Sequence, residues 1–205
     1  YVRSMASTAT GTTPGWSGVA RVVRGGEVIE EVSAGFAAGP DGPPCTPDLR
    51  FQASSISKLV MSSVVLSLSE WGRLTLDEPI SRWWKDAPRH WPPITLRQLI
   101  GQTSGLGHWG DIPDLGASYL TEPPARDELV AMIARAPLLA APGERWAYSG
   151  PGFLVAALVV EAVTGRDYGA AAHDLVIGPA GMQATTSGRF PDLRAGTALG
   201  HREGV

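Results

Sequence analysis

The sequence predicts an α+β protein in which a pair of strands precedes a long, mostly helical region. Segment 17–33 has the composition of two short strands joined by the Gly25-Gly26 turn of a β-hairpin. From residue 55 onward, apolar stretches of helical length follow one another between turn residues. The chain holds 25 Gly and 17 Pro, which indicates many turns and several short helices rather than a long bundle.

Start and stop signals divide the helical region. The first helix is predicted from Ser55 to Trp71, with Gly72 as its stop signal. Thr95 is the expected N-cap of a short helix that ends at residue 100. Three further helices are predicted over residues 126–136, over 152–163 with a stop at Gly165, and over 168–177.

Composition excludes several classes of function. A hydrophobic content of 43% and a charged content of 18% are typical of a globular protein. The net charge of −3 and the lack of a basic cluster argue against nucleic-acid binding. No apolar run reaches the roughly 18–20 residues that span a bilayer. Cys45 is the only cysteine, so no internal disulfide is possible. The cysteine count does not distinguish a cytoplasmic from an exported protein.

The segment Phe51-Gln-Ala-Ser-Ser-Ile-Ser-Lys58 carries the strongest chemical signal. Ser55 precedes Lys58 by three residues, so on a helix the hydroxyl and the amine share a face. A serine at a helix N-terminus also lies where backbone N–H groups and the helix dipole favour developing negative charge. The segment therefore predicts an acyl-transfer enzyme, and the alternative is a serine that only caps the helix.

Two further segments, taken together with this one, match the pattern of a known protein family. They are Leu96-Arg-Gln-Leu-Ile-Gly-Gln-Thr-Ser-Gly-Leu106 and Pro142-Gly-Glu-Arg-Trp-Ala-Tyr-Ser-Gly-Pro-Gly-Phe153. In this order, and with the Ser-x-x-Lys motif before them, they resemble the serine β-lactamase-related family over residues 18–182. That family contains class C β-lactamases, D-alanyl-D-alanine carboxypeptidases, β-lactamase-fold carboxylesterases and some acyltransferases.

The resemblance implies a β-lactamase/transpeptidase-like fold, with an antiparallel sheet flanked by helices and an inserted helical subdomain. It assigns residues 1–54 to the sheet domain, 55–185 to the nucleophile helix and helical subdomain, and 186–205 to a truncated return to the sheet. It also makes Ser55 the acylated nucleophile, Lys58 the acceptor of its proton, and Tyr148 a partner base or proton relay. The alternative for Tyr148 is a buried tyrosine that anchors the loop before a helix.

Three departures from the family pattern affect this expectation. Gly150 stands where the family usually has an asparagine whose amide contacts the substrate, which puts recognition of an acylamino side chain in doubt. Gln102 replaces a common histidine, and we interpret this as a structural substitution. The late Lys/His-Thr/Ser-Gly motif, whose strand supplies the second oxyanion-hole donor, is absent from the sequence. A second polypeptide or a C-terminal segment is therefore expected to supply the missing C-terminal strands.

The sequence accordingly predicts a serine hydrolase that forms an acyl-enzyme on small ester or amide substrates, and Gly150 favours a carboxylesterase. The alternatives are a D-alanyl-D-alanine carboxypeptidase, a class C-like β-lactamase, and a non-catalytic binding module of the same fold. No cofactor is expected. No zinc motif is present, and the scattered histidines are not expected to bind a metal. They are His90, His108, His173 and His201.

Overall fold

The computed structural model describes residues 16–116, 123–187 and 196–198. These fall into two compact units, one within Tyr1–Ser54 and Gly188–Val205 and the other Ser55–Ser187. His201 and most of the predicted return segment 186–205 lie outside the described residues.

The first unit contains the predicted hairpin. Strand β1 (Gly18–Arg24) pairs antiparallel with strand β2 (Glu27–Ala34), with an irregularity in the register after Val22. Gly25 and Gly26 both have positive φ, at 59° and 86°. Two consecutive residues with positive φ are what a tight two-residue hairpin turn requires, and glycine adopts this conformation without steric cost. This pair of strands is the one sheet within the described ranges.

The second unit begins at the Ser-x-x-Lys motif, whose last two residues start a helix. Helix α1 spans Ser57–Glu70, and a single 3₁₀ turn, Ser54–Ile56, precedes it. The predicted start at Ser55 was therefore two residues early, because the chain tightens before the α-helical bonds begin. The N-cap residue is Ile56, and no side chain caps this helix. Gly72, with φ at 67°, ends the turn after the helix, as predicted.

The remaining helices also lie where the sequence predicts them. Thr95 caps α2 through a capping box with Gln98, whose N–H donates to Thr95 Oγ1 at 3.2 Å. Gly165, in the left-handed region, ends the long apolar helix. The predicted helix over 168–177 changes to a π-helical turn at His173. The bounds are α2 (Leu96–Ile100), α3 (Arg126–Arg135), α4 (Gly150–Thr164) and α5 (Tyr168–Ala172), followed by the π turn His173–Ile177.

One hydrophobic core holds the second unit together. Helix α4 packs against α1, α2 and α5, and its own mostly apolar surface is buried on several sides. Fully burying one valine or leucine side chain is worth about 1.5–3 kcal/mol relative to exposing it. The core therefore fixes α1 and the start of α4 relative to each other. Its fully buried members on these helices include Val64, Val65, Leu68, Leu96, Leu99, Val155, Val159 and Val160.

Candidate active site

The structure brings three predicted site residues together at the start of α1. The Ser55 Oγ lies 2.6 Å from the Tyr148 phenol oxygen, although 93 residues separate them in the chain. Lys58 Nζ donates to the same Oγ at 3.3 Å. Because Oγ hydrogen-bonds these two groups, Ser55 does not act as the cap of α1.

These groups are accessible rather than sealed in the core. Ser55 is exposed, Lys58 is partly buried, and the Tyr148 side chain keeps 37% of its surface in contact with solvent. Tyr148 is therefore not a buried residue, in contrast to the alternative that the sequence left open.

The electrostatics around Tyr148 favour its phenolate. Hydrogen bonding with Lys58 and, after it, with Ser55 lowers the pKa of Tyr148 below its ordinary value. The Lys58 nitrogen also lies 4.8 Å from the centroid of the Tyr148 ring and 5.5 Å from that of Phe153. Both distances lie within the range of cation–π attraction.

A tight connection between two loops positions Tyr148. The Ser149 side chain is 1% exposed, and its Oγ caps α4 by accepting the Gly152 N–H at 2.9 Å. The same Oγ donates to the Gly107 carbonyl oxygen at 2.9 Å. Pro151 follows at the start of the helix, where its missing N–H costs no hydrogen bond.

Gln102 contacts this loop as well. Its Oε1 accepts the Ser149 N–H at 2.7 Å, and its backbone carbonyl accepts the Ala147 N–H at 2.8 Å. Gln102 has φ at 61°, a conformation that a residue with a side chain rarely adopts and that tertiary packing must stabilise. This geometry agrees with our interpretation of Gln102 as a structural substitution.

His108 also belongs to the site, which the sequence analysis missed when it set aside the scattered histidines. Its Nδ1 accepts the Gly150 N–H at 3.1 Å, and its ring lies edge-on to Tyr148 with centroids 5.1 Å apart. The backbone N–H of His108 donates to Asp111 Oδ2 at 2.7 Å. The spacing of His108 and Asp111 is typical of a capping box and indicates a turn here. Nothing in the sequence, however, pairs this turn with residue 150.

The described residues offer no metal centre: none of them form a group of three or more His, Cys, Asp or Glu that could hold an ion. His90 is exposed, and His173 contacts Asp174 on the surface. Within the same ranges, no helix combines the length and the apolarity that crossing a bilayer requires.

Comparisons with known proteins agree with this architecture. A family model described as Beta-lactamase matches residues 8–205. Esterase EstB of Burkholderia gladioli is 36% identical over 180 residues, covering 80% of this chain and 45% of EstB. The D-alanyl-D-alanine-carboxypeptidase/endopeptidase AmpH of Escherichia coli (strain K12) is 30% identical over 145 residues, covering 68% of this chain and 37% of AmpH.

Among solved structures, a penicillin binding protein from Bacillus halodurans superposes with a TM-score of 0.78 at 30% identity. The match covers 90% of this chain and 58% of that protein. The predicted β-lactamase/transpeptidase-like fold is confirmed by this likeness. The chain spans less than half the length of the two curated relatives named above.

Proposed function

The chain belongs to the β-lactamase family, and from this premise we propose that it is a serine hydrolase that works through a covalent acyl-enzyme. One observation carries the proposal. The Lys58 amine and the Tyr148 phenol, from two distant segments, converge on the hydroxyl oxygen of Ser55. A weak nucleophile with a base in hydrogen-bond reach, and with a second polar group that orients the base, is the arrangement that nucleophilic catalysis needs.

The distances support a division of roles between the two partners of Ser55. Tyr148 is the nearer base, since its oxygen lies 2.6 Å from Oγ against 3.3 Å for Lys58 Nζ. The lysine favours the phenolate through its hydrogen bond and its charge. This proposal differs from the role that the family resemblance implies: Tyr148 takes the serine proton, and Lys58 acts mainly through Tyr148.

Ser55 and Tyr148 account for every proton transfer in the proposed reaction. Ser55 Oγ attacks the carbonyl carbon of the substrate, and its proton moves to the Tyr148 oxygen. The tetrahedral intermediate collapses by breaking the bond to the leaving oxygen or nitrogen, which takes the proton from Tyr148. A water molecule then repeats the sequence on the acyl-enzyme, releasing the acid and restoring the serine hydroxyl.

Among the reactions open to such a site, we propose ester hydrolysis. Gly150 offers no side-chain amide, so this position lacks the two donors and one acceptor that an asparagine would present to an acylamino group. Similarity to the esterase EstB supports this choice, whereas similarity to AmpH supports the carboxypeptidase alternative. Turnover of a p-nitrophenyl ester, a chromogenic cephalosporin and a D-Ala-D-Ala peptide should be compared. Faster turnover of the cephalosporin than of the ester would contradict the proposal.

A covalent probe tests the enzyme against a non-catalytic module of the same fold. A fluorophosphonate should add its mass to the tryptic peptide that contains Ser55, and the Ser55→Ala variant should take up none. An unmodified Ser55 in the complete, folded protein would remove the basis for catalysis.

These 205 residues contain no recognisable motif for the second oxyanion-hole donor. We propose that a second polypeptide or a C-terminal segment supplies the strand with the Lys/His-Thr/Ser-Gly motif. One missing donor costs about 10²–10³ in rate, so the contribution is needed for full activity. Native mass spectrometry of the active species checks this, and a fully active monomer of 21.6 kDa would refute it.

A further inference from the structure

The extended backbone at Ser149 places the side-chain positions of residues 148 and 150 on the same side of the chain. Ser149 is extended, with φ at −134° and ψ at 116°. Residues that flank an extended residue point their Cα–Cβ bonds the same way. Tyr148 uses this direction to reach Ser55 Oγ. A side chain at position 150 would therefore stand beside the phenol, next to the reacting groups.

Trp109 already occupies that space. A Cβ atom on Gly150 would lie 2.4 Å from Nε1, 2.7 Å from Cε2 and 3.0 Å from Cζ2 of the indole. Real Cβ atoms essentially never show contacts under 3.0 Å. Gly150 has no positive φ, so packing against Trp109, rather than backbone conformation, requires a glycine here.

Hydrogen bonds to the residues that precede Trp109 hold the Gly150 side of this contact in place. The Gly150 N–H donates to His108 Nδ1 at 3.1 Å, immediately before Trp109 in the chain. The neighbouring Ser149 Oγ donates to the Gly107 carbonyl at 2.9 Å. Room for a side chain at 150 would require the indole to leave its place.

We propose that Trp109 is a specificity-determining residue of the acyl-transfer site, an inference that rests on the proposed function. The indole replaces a side chain at position 150 and presents an aromatic wall where a polar group would otherwise stand. It is partly exposed and packs against the core, so it offers an apolar surface at position 150, two residues from Tyr148 in the chain. The site therefore favours esters with an apolar acyl chain over substrates that need an amide partner.

The test compares p-nitrophenyl acetate with p-nitrophenyl hexanoate in the complete protein, as the ratio of their kcat/KM values. Trp109→Ala should lower the hexanoate preference about tenfold or more, within the range that apolar pockets give per methylene. Trp71→Ala, which removes an exposed tryptophan at the end of α1, should leave the ratio unchanged.

A second arm tests the packing itself. Gly150→Asn alone should slow both esters by about tenfold or more and lower the melting temperature, because the new side chain meets the indole. The double variant Trp109→Ala/Gly150→Asn should recover most of both losses. If Trp109→Ala does not fold, Trp109→Leu takes its place, since it keeps an apolar side chain but frees the volume of the indole.

The outcomes separate this inference from the function it rests on. If the parent protein hydrolyses neither ester, the proposed function is wrong and this inference falls with it. If the parent hydrolyses both and Trp109→Ala keeps the hexanoate preference, the inference alone is wrong. Full activity of Gly150→Asn with Trp109 in place would also overturn it.

Discussion

The side-chain oxygen of Gln102 accepts the backbone N–H of Ser149 at 2.7 Å. The backbone carbonyl of Gln102 accepts the Ala147 N–H at 2.8 Å, so one residue holds the chain on both sides of Tyr148. Gln102 and Ser149 are both buried, and water does not compete for these bonds. The position of the phenol oxygen therefore depends on a side chain 47 residues away from Ser149 in sequence.

Replacing Gln102 by methionine should reduce both stability and activity. The change keeps the approximate length of the side chain but leaves the buried Ser149 N–H without its acceptor, which costs about 1–3 kcal/mol. We expect urea unfolding to show this loss and kcat to fall more than KM rises, because Tyr148 is displaced. Gln183→Met, at an exposed position, is the matched control. Unchanged kcat would show that Tyr148 does not depend on this bond.

Replacing Lys58 by alanine should lower the acylation rate by roughly 10²–10⁴, the usual contribution of general acid–base groups. The change removes the donor to Ser55 Oγ and the group that favours the Tyr148 phenolate. Stopped-flow measurement of the burst of p-nitrophenol reports acylation directly. A burst of normal rate in this variant would exclude a role for the lysine.

Acylation should increase with pH, and its midpoint should lie below about 10, the ordinary value for tyrosine. The sign follows from two points: Tyr148 acts as a base only when deprotonated, and its neighbours lower its pKa. The difference in phenolate absorbance between the parent protein and Tyr148→Phe measures this titration without turnover. In Lys58→Ala the midpoint should move upward, since hydrogen bonding with the lysine is the largest cause of the shift. A parent midpoint at or above the ordinary value would contradict the assignment.

Replacing Thr95 by alanine should destabilise the second unit by about 1 kcal/mol. The hydroxyl of Thr95 accepts the Gln98 N–H, and Gln98 Oε1 accepts the Thr95 backbone N–H at 2.9 Å, so this change removes one half of a reciprocal cap. Thermal unfolding compared with the exposed control Thr185→Ala measures the difference. A variant as stable as the control would mean that water replaces the cap without cost.

The sequence predicted elements whose signals are local. The Gly25-Gly26 turn, the Thr95 cap and the stop at Gly165 each depend on residues within a few positions of each other, and all three are confirmed. The proximity of Ser55 and Lys58 was predictable for the same reason, because a spacing of three brings side chains together in a helical turn.

The rest of the site depends on contacts that local patterns do not encode. His108 and Gln102 meet the 147–150 segment only because the core brings two loops together. The proximity of Tyr148 to Ser55 came from the family resemblance and not from spacing. Tryptophans of this region could line a cleft for an apolar acyl group, but a residue in a single 3₁₀ turn gives no periodic signal, so the sequence does not single out Trp109 among them. The sequence shows that Gly150 lacks the amide side chain usual in the family. It does not show that the Trp109 indole occupies the space of that side chain.

The contact between Gly150 and Trp109 limits the order in which this protein can change. A mutation that gives residue 150 a side chain is harmful while the indole is present, so it can be tolerated only after position 109 has become smaller. In a laboratory selection for hydrolysis of acylamino substrates, lineages should therefore alter codon 109 first. The two positions form an epistatic pair. Any selected variant with an amide side chain at position 150 should descend from one that already had a smaller residue at position 109.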